Sequence, residues 1–254
     1  MNFAKFIFES THKKELSRED AIKLIKEHCD TEKVLYRGMS GDDYFYKIKG
    51  EDGQRVSANT SNHYTIILDK LIAEKDSKYP LRSRSIICTD NKADATQFNE
   101  NTYVILPFKN VVFGKVNAAD LWAKRVKLGG INLPIEYWND MFNDAGISSV
   151  SYDKLIDDLE KLLEADKVED KDYTEDDLSY SDAIEYLYLA FDFDAKNVRP
   201  YIEKAYSPDT LGFEFVTIET NRFKRTSSEY WISGDCVAVI YDIWKNIKTE
   251  LDKE

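Results

Sequence analysis

The sequence predicts an α+β protein in which both ends of the chain supply strands and a mostly helical, acidic insertion at residues 119–200 separates them. Apolar and aromatic segments typical of strands occur before residue 117 and after residue 200, whereas the part between them has helical periodicity. Sixteen Tyr and thirteen Phe favour a sheet. With 43% hydrophobic residues, a chain of 254 can bury one large core, and we expect a single domain over residues 1–254.

The first predicted elements alternate between helix and strand. Residues 17–29 have one apolar face, with Ser17 as the N-cap and Asp20 three residues later, and therefore predict a helix. The segment 34–38 predicts a short strand that ends at Gly38. The pattern then predicts a helix at 61–75, a strand at 85–88, a short helix at 92–98, and strands at 102–108 and 111–116.

Within the insertion, residues 153–164 predict the clearest helix, because five apolar side chains recur on one face. They are Leu155, Ile156, Leu159, Leu162 and Leu163. Residues 166–177 predict a flexible connector, and a second helix is expected at 181–191. After Pro200 the chain returns to strands at 213–219 and at 230–241, the latter broken at Gly234.

The net charge of −12 belongs to one segment of the chain. Residues 151–194 contain 16 acidic residues and four lysines, so the remainder is neutral. A solvated helical surface would explain this charge. A docking surface for a basic protein partner, or a face that imitates DNA, would explain it as well.

The sequence disfavours several kinds of site. Cys29, Cys88 and Cys236 are odd in number and widely spaced, which argues against a disulfide framework and a cysteine-based zinc site. The three histidines lack metal-ligand spacing, so we expect no metal. No apolar run approaches the roughly 18 residues that cross a bilayer, and the first residues do not resemble a secretory signal. We therefore expect a cytoplasmic protein without a membrane partner.

Two candidate binding features lie at predicted strand ends. Arg37 precedes Gly38 after three apolar residues, where its planar guanidinium could bind a phosphate or carboxylate. A surface arginine at a strand edge is the alternative. Residues 85–90 place small hydroxyl and thiol groups before a short helix, where they could bind a ribose or an amide. Alternatively, Thr89 and Asp90 only cap that helix.

The third feature is Glu229, a lone carboxylate that precedes an aromatic strand. It follows a basic loop, and a solvated glutamate at a strand start is the alternative. The cations of this loop are Arg222, Lys224 and Arg225. Two further cations, Arg82 and Arg84, precede the strand at 85–88. Since they share one parity, both could face the same way, toward a phosphate or toward solvent.

The order of these features resembles the mono-ADP-ribosyltransferase family, and within it the Arg-Ser-Glu class. LYRG resembles the first-strand motif, and EYWISG resembles the element that contains the catalytic glutamate. SIICTDNKADATQF resembles the FxSTS element, with Ile86 at the aromatic position, Cys88, Thr89 and Asp90 at Ser-Thr-Ser, and Phe98 at the helix end. YVILPF followed by VVFGKV resembles the next strand pair. The resemblance covers roughly residues 33–118 and 205–242, excludes the acidic insertion, and extends to phage proteins.

This resemblance implies an ADP-ribosyltransferase-like split β-sheet core, preceded by N-terminal helices, with NAD bound in a cleft between two small sheets. Glu229 would be catalytic and hydrogen-bond the ribose 2′-OH, while Arg37 would hold the phosphates. Cys88 and Thr89 would lie beside the nicotinamide ribose. Gly38 and Ser85 complete the implied NAD-binding residues. The nicotinamide bond would break through an oxocarbenium-like state that a fixed carboxylate stabilises.

Two departures from the family pattern bear on the site. Cys88 replaces a serine and is a poorer hydrogen-bonder, so Ser85 would take over part of its role, although alternation puts it on the opposite face. Arginine-modifying members have a second Glu, and related classes a Gln, two residues before the catalytic Glu, where this chain has Ser227. Arginine is therefore not the expected acceptor. The implied substrate-loop residues are Arg222, Lys224, Arg225 and Ser227.

Because three of those four residues are cations, nucleic acid is one expected acceptor and a non-arginine protein site is the other. Three functions stay open on the sequence. The first is an active mono-ADP-ribosyltransferase that acts as a phage effector or toxin. The second is an inactive member of the fold that binds or inhibits a partner. The third is an NAD glycohydrolase, with water as the acceptor.

Overall fold

The computed structural model describes residues 12–50, 63–75, 78–148, 151–165, 185–187, 189–191, 198–220 and 226–253. They form helices and antiparallel strands, so the predicted α+β class is confirmed. The chain divides into two compact units. Unit 1 comprises Met1–Ala58, Ser77–Ala119 and Phe213–Glu254, and unit 2 comprises Asn59–Asp76 and Asp120–Gly212. The single domain with an insertion at 119–200 stays a prediction.

The strands in the described ranges are numbered in chain order. They are β1 (His12–Glu15), β2 (Leu35–Gly38), β3 (Phe45–Lys49), β4 (Ile86–Thr89), β5 (Thr102–Pro107), β6 (Val112–Val116), β7 (Arg125–Leu128), β8 (Ile131–Pro134), β9 (Phe213–Thr217), β10 (Glu229–Ser233) and β11 (Asp235–Ile240). All except β7 and β8 belong to one antiparallel sheet of unit 1, in the order β1-β3-β11-β5-β2-β4-β10-β6-β9. Strand β4 therefore begins and ends one residue later than expected.

The helices in these ranges are also numbered in chain order. They are α1 (Arg18–His28), α2 (His63–Lys75), α3 (Lys92–Ala95), α4 (Ile135–Asp144), α5 (Tyr152–Ala165), α6 (Val198–Ala205), α7 (Pro208–Leu211) and α8 (Tyr241–Leu251). Ser17 caps α1 as predicted, since its hydroxyl accepts from the Asp20 amide at 3.1 Å. Helix α3 is shorter than the predicted 92–98. No helix of the described ranges is long and apolar enough to cross a membrane.

The sheet of unit 1 is narrowest between β2 and β4. Within the described residues, β2 and β4 share one registered pair, Tyr36 with Thr89. Every other pair of neighbouring strands in this sheet shares four or five registered pairs. We call β1-β3-β11-β5-β2 the five-stranded half and β4-β10-β6-β9 the four-stranded half. The junction between the halves is thus a place where the sheet is nearly divided.

Gly234 sends consecutive strands to different halves. β10 lies between β4 and β6, whereas β11, one residue later, lies between β3 and β5. The backbone of Gly234 has φ +114°, and a Cβ there would lie 2.8 Å from Val111 Cγ1. Both facts require glycine. The predicted break at Gly234 is therefore confirmed, and it is a crossing between the halves.

The core of unit 1 lies against this sheet. Helices α1 and α8 contribute Ala21, Ile25, Trp244 and Ile247 to it. The predicted strand at 230–241 continues instead as a helix from Tyr241. The three cysteines are buried and free in this core, as the absence of a disulfide pattern predicted.

Unit 2 contains α2, α4 to α7 and one hairpin. The leucine face predicted on α5 is buried at Leu155, Leu159 and Leu163. The hairpin of β7 and β8 was not predicted in a segment expected to be mostly helical. Its turn is Gly129-Gly130, a recognised hairpin signal. The connector at 166–177 lies outside the described residues, as do parts of the helix predicted at 181–191.

Candidate functional site

Glu229 begins β10 at the centre of the four-stranded half. It is registered with Thr89 on β4 and with Val116 on β6, and its amide donates to Ala118 O at 2.7 Å. Only 3% of the residue is exposed. The alternative of a solvated glutamate at a strand start is therefore wrong, since neighbouring strands enclose it on both sides.

Two side chains approach the same carboxylate oxygen of Glu229. The indole Nε1 of Trp231 donates to Oε1 at 2.5 Å, and Arg82 Nε lies 3.6 Å from that oxygen. Trp231 can reach it because residues two apart on a strand share a face. The Arg82 guanidinium also lies over the Trp231 ring, 5.7 Å from its centroid. The three side chains form a compact cluster, which we call the Glu229 cluster.

Sequence reasoning treated Arg82 as a cation that faces phosphate or solvent and missed its contact with Glu229. Residues Arg82–Arg84 form a 3-10 helix rather than a strand extension. With three residues per turn, such a helix does not place residues two apart on one face. Arg82 is accordingly buried and Arg84 exposed, so the expectation of a shared direction is wrong. A buried carboxylate needs a cation, but the sequence does not identify which of many cations supplies it.

Arg37 lies at the junction between the halves. It is 6% exposed, and its Nη1 donates to Ile87 O on the neighbouring strand at 2.5 Å. The alternative of a surface arginine is wrong. Since Tyr36 pairs with Thr89, strand alternation places Arg37 on the opposite face from Thr89 and Glu229. Arg37 and Glu229 nevertheless flank the same strand, since Arg37 of β2 donates to Ile87 O of β4 and Glu229 of β10 is registered with Thr89 of β4.

Cys88 and Thr89, the last two residues of β4, are both buried. Cys88 is buried, and this burial raises the pKa of its thiol to about 12, so the thiol is neutral and unreactive near pH 7. Thr89 is the last residue of β4. Its Oγ1 accepts from the Asn91 amide at 3.2 Å and donates to Asp94 at 3.4 Å. Ser85 precedes the strand and donates to Leu81 O at 2.6 Å.

Asp90 anchors the turn that precedes Glu229. Its Oδ1 accepts from the Ser228 amide at 2.9 Å, and its Oδ2 accepts from the Thr226 amide and hydroxyl at 3.3 and 3.1 Å. The residue is 3% exposed. Asp90 therefore does not cap α3, and neither does Thr89. The cap is Asn91, whose side chain accepts from the Ala93 amide.

Ser227 stands in an unusual backbone conformation, with φ 54°. Its hydroxyl accepts from Asn91 Nδ2 at 2.9 Å, which ties the turn to the start of α3. The other predicted substrate-loop residues, Arg222, Lys224 and Arg225, lie outside the described residues. The structure thus brings Ser227 next to Glu229 and leaves the basic loop undescribed.

Close packing explains why residue 38 is a glycine. A Cβ at this position would lie 2.5 Å from Ala95 O and 2.7 Å from Asn99 N, both backbone atoms. Glycine therefore lets the end of β2 approach the end of α3. A role of Gly38 in binding a ligand stays a prediction.

The polar groups of this region are engaged with one another. Arg37, Thr89 and Glu229 each have an internal hydrogen bond, so a nucleotide would have to replace some of these bonds. Across the described ranges, no group of three or more His, Cys, Asp or Glu is placed to hold a metal ion. The chemistry available to the described residues is that of a buried carboxylate beside a cation.

In comparisons with known proteins, no family model, curated protein or solved structure matches this chain.

Proposed function

We propose that this protein is a mono-ADP-ribosyltransferase of the Arg-Ser-Glu class, which moves ADP-ribose from NAD to a macromolecule. The observation that supports it is the register at the nearly divided junction of the sheet. Tyr36, Thr89 and Glu229 lie side by side on three neighbouring strands, roughly 10 Å across. Arg37 follows Tyr36 and lies on the opposite face of the sheet, so one dinucleotide would contact Thr89 and Glu229 on one face and reach Arg37 by passing between β2 and β4 at the junction.

In this proposal each residue has a distinct role. Arg37 binds the NAD phosphates, because a planar guanidinium can make two parallel hydrogen bonds to an anion. Thr89 lies beside the nicotinamide ribose. Glu229 accepts from the ribose 2′-OH and stabilises the positive charge that develops as the nicotinamide bond breaks. Nicotinamide leaves with the bonding electrons, and the acceptor forms the new bond to the ribose.

The proposed acceptor is nucleic acid or a protein side chain other than arginine. Ser227 stands where arginine-modifying enzymes have a second Glu, and a hydroxyl is a poor base for activating a guanidinium. The preceding sequence contains Arg222, Lys224 and Arg225, which favour a polyanion. We place the reaction in the cytoplasm, where NAD and nucleic acids are both present.

A second candidate is a binding protein of the same fold without chemistry. It is favoured by the burial of Glu229 and its engagement with Trp231 and Arg82, which NAD would have to disturb. Such a protein would bind a basic partner through the acidic segment 151–194. In the described part of that segment, Asp157 and Glu164 on α5 face outward.

Nicotinamide release from NAD separates these candidates. The parent protein is expected to release nicotinamide, and Glu229→Gln is expected to reduce the rate on the order of 10²-fold or more. The matched control is Glu214→Gln, since Glu214 lies in the same half of the sheet with a side chain 64% exposed. An equal rate for the two variants would remove Glu229 from the mechanism. No release by the parent would favour the binding protein.

Labelled NAD in a lysate identifies the acceptor. The lysate is divided into protease-treated and nuclease-treated halves after the reaction. Label that is lost with nuclease indicates a nucleic acid acceptor, and label lost with protease indicates a protein. Nicotinamide release without label on either macromolecule would contradict transfer and indicate NAD hydrolysis.

A further inference from the structure

The Glu229 cluster contains a cation whose position is fixed by two different contacts. Arg82 Nε lies 3.6 Å from Glu229 Oε1, and the Arg82 guanidinium lies 5.7 Å from the centroid of the Trp231 ring. Trp231 donates to the same oxygen at 2.5 Å. Arg82 therefore contacts both the carboxylate and the side chain that holds it.

The contact between Arg82 and Glu229 joins two buried charges. The side chains of Arg82 and Glu229 are 5% and 4% exposed, so neither charge is well solvated. Replacing a buried ion pair by apolar side chains often leaves a protein equally stable, so stability alone gives little reason for such a pair. A carboxylate that must hold one orientation for a reaction gives a better reason.

We propose that Arg82 is a positioning residue that orients Glu229, both directly and through Trp231, for the proposed transfer. This inference rests on the proposed function. Arg82 itself contacts Glu229 and Trp231 and not the reacting atoms of NAD. Its guanidinium and the indole approach one carboxylate oxygen together, which restricts rotation of the Glu229 side chain about its terminal bonds. A misplacement of about 1 Å in a reacting group can reduce a rate on the order of 10²-fold.

The chain offers a matched control two residues away. Arg84 belongs to the same 3-10 helix and is exposed. Arg82→Gln and Arg84→Gln make the same chemical change at a buried and an exposed position. Arg82→Lys keeps the charge but not the planar group, and it is the second variant if Arg82→Gln does not fold. Thermal unfolding establishes which variants fold.

The first measurement needs no substrate. The chain has four tryptophans, so a proton–nitrogen NMR spectrum contains four indole resonances. Trp231→Phe identifies the resonance of Trp231, whose indole donates to Glu229. Arg82→Gln, or Arg82→Lys if the first does not fold, is expected to move this resonance and leave the other three in place. Arg84→Gln is expected to move none. An unchanged Trp231 resonance in the folded Arg82 variant would overturn the proposal.

The second measurement is the kinetics of nicotinamide release. Arg82→Gln is expected to lower kcat on the order of 10²-fold with KM for NAD changed less than about threefold, because Arg82 positions the reacting carboxylate and does not bind NAD. Arg82→Lys is expected to restore part of kcat. Rates per folded molecule equal to that of Arg84→Gln would contradict the proposal. Absence of release by the parent would defeat the proposed function instead, and the NMR result would still decide whether Arg82 acts on the indole that donates to Glu229.

Discussion

Strands β10 and β11 follow one another in the chain and are equally buried, yet they differ in what they bury. In β11, Cys236 through Val239 are fully buried and none of them is charged. In β10, Glu229 is 3% exposed and contacts Arg82 and Trp231. The single residue between the strands, Gly234, sends one to each half of the sheet.

This difference separates stability from function within one sheet. Apolar burial on β11 stabilises the fold directly, by about 25 cal/mol for each square ångström removed from water. The buried ion pair of β10 is a weak source of stability, because removing two charges from water offsets their attraction. We therefore expect changes on β11 to affect unfolding and changes on β10 to affect chemistry.

The largest effect is expected at the connection between the strands. Gly234→Ala should lower the free energy of unfolding by about 3 kcal/mol, because it forces a side chain into φ +114° and against Val111. Urea unfolding measures this. The control is Gly212→Ala, where φ is +66° and an added Cβ would point into open space, so only about 1 kcal/mol is expected. Equal losses would show that the contact with Val111 is unimportant.

The next prediction compares the two strands directly. Val237→Ala on β11 should lower the free energy of unfolding by about 2 to 3 kcal/mol, because it leaves a cavity in a fully buried site. Its nicotinamide release per folded molecule should be unchanged. Trp231→Phe on β10 should lower that rate about tenfold, since it removes the hydrogen bond to Glu229. If both variants reduced the rate per folded molecule alike, the division of roles would be wrong.

A smaller effect is expected for the anchor before β10. Asp90→Asn should lower the free energy of unfolding by about 1 to 2 kcal/mol, because an amide nitrogen replaces the oxygen that accepts from Thr226. Urea unfolding would detect it. Asp94→Asn is a control beside it, since the Asp94 carboxylate accepts from Asn91 and Thr89 over longer distances of 3.3 and 3.4 Å. A larger loss for Asp94→Asn would contradict the anchoring role of Asp90.

The smallest effect is the pH dependence of unfolding that His63 of unit 2 causes. Burial lowers the pKa of His63 in unit 2, where its Nε2 contacts Ile147 O at 2.9 Å. The unfolded chain, with an ordinary histidine pKa near 6.5, therefore binds the proton more readily than the folded chain. The free energy of unfolding should fall as pH falls below about 6.5 and be independent of His63 above it.

Unfolding measured between pH 5 and 8 tests this effect. His63→Gln keeps a nitrogen near the Nε2 position and cannot bind the proton, so it should reduce the slope below pH 6.5. An unreduced slope would mean that groups other than His63 cause the dependence.

The sequence predicted most elements but not the contacts of the site. The helix that begins after Ser17 and the break at Gly234 follow from local chemistry, a hydroxyl cap and a glycine, and both are present. The buried apolar strand β11 was predicted, although its end was not, because Tyr241 begins a helix after an apolar run. The hairpin of unit 2 was missed because its short strands lie in a largely helical segment.

The contacts of the candidate site could not be predicted from the sequence for a different reason. Glu229 and Thr89 were predicted to be near each other only by resemblance to a family, and their register supplies the distance. Arg82 was missed because strand parity was applied to a 3-10 turn. Asp90 was considered a helix cap because aspartate is a favoured capping residue, but the adjacent Asn91 does the capping. Local patterns do not specify which distant side chain a buried charge contacts.

The order of the strands has a consequence for how this chain folds during synthesis. β10 and β11 are the last two strands in the sequence, yet each lies inside its half, between β4 and β6 and between β3 and β5. Until the ribosome has released β10 and β11, each of their neighbours β3, β4, β5 and β6 has an unpaired edge that can associate with other chains. Pairing them requires long-range contacts, which slow folding. We expect the nascent chain to stay open until both strands emerge and then to close both halves of the sheet together.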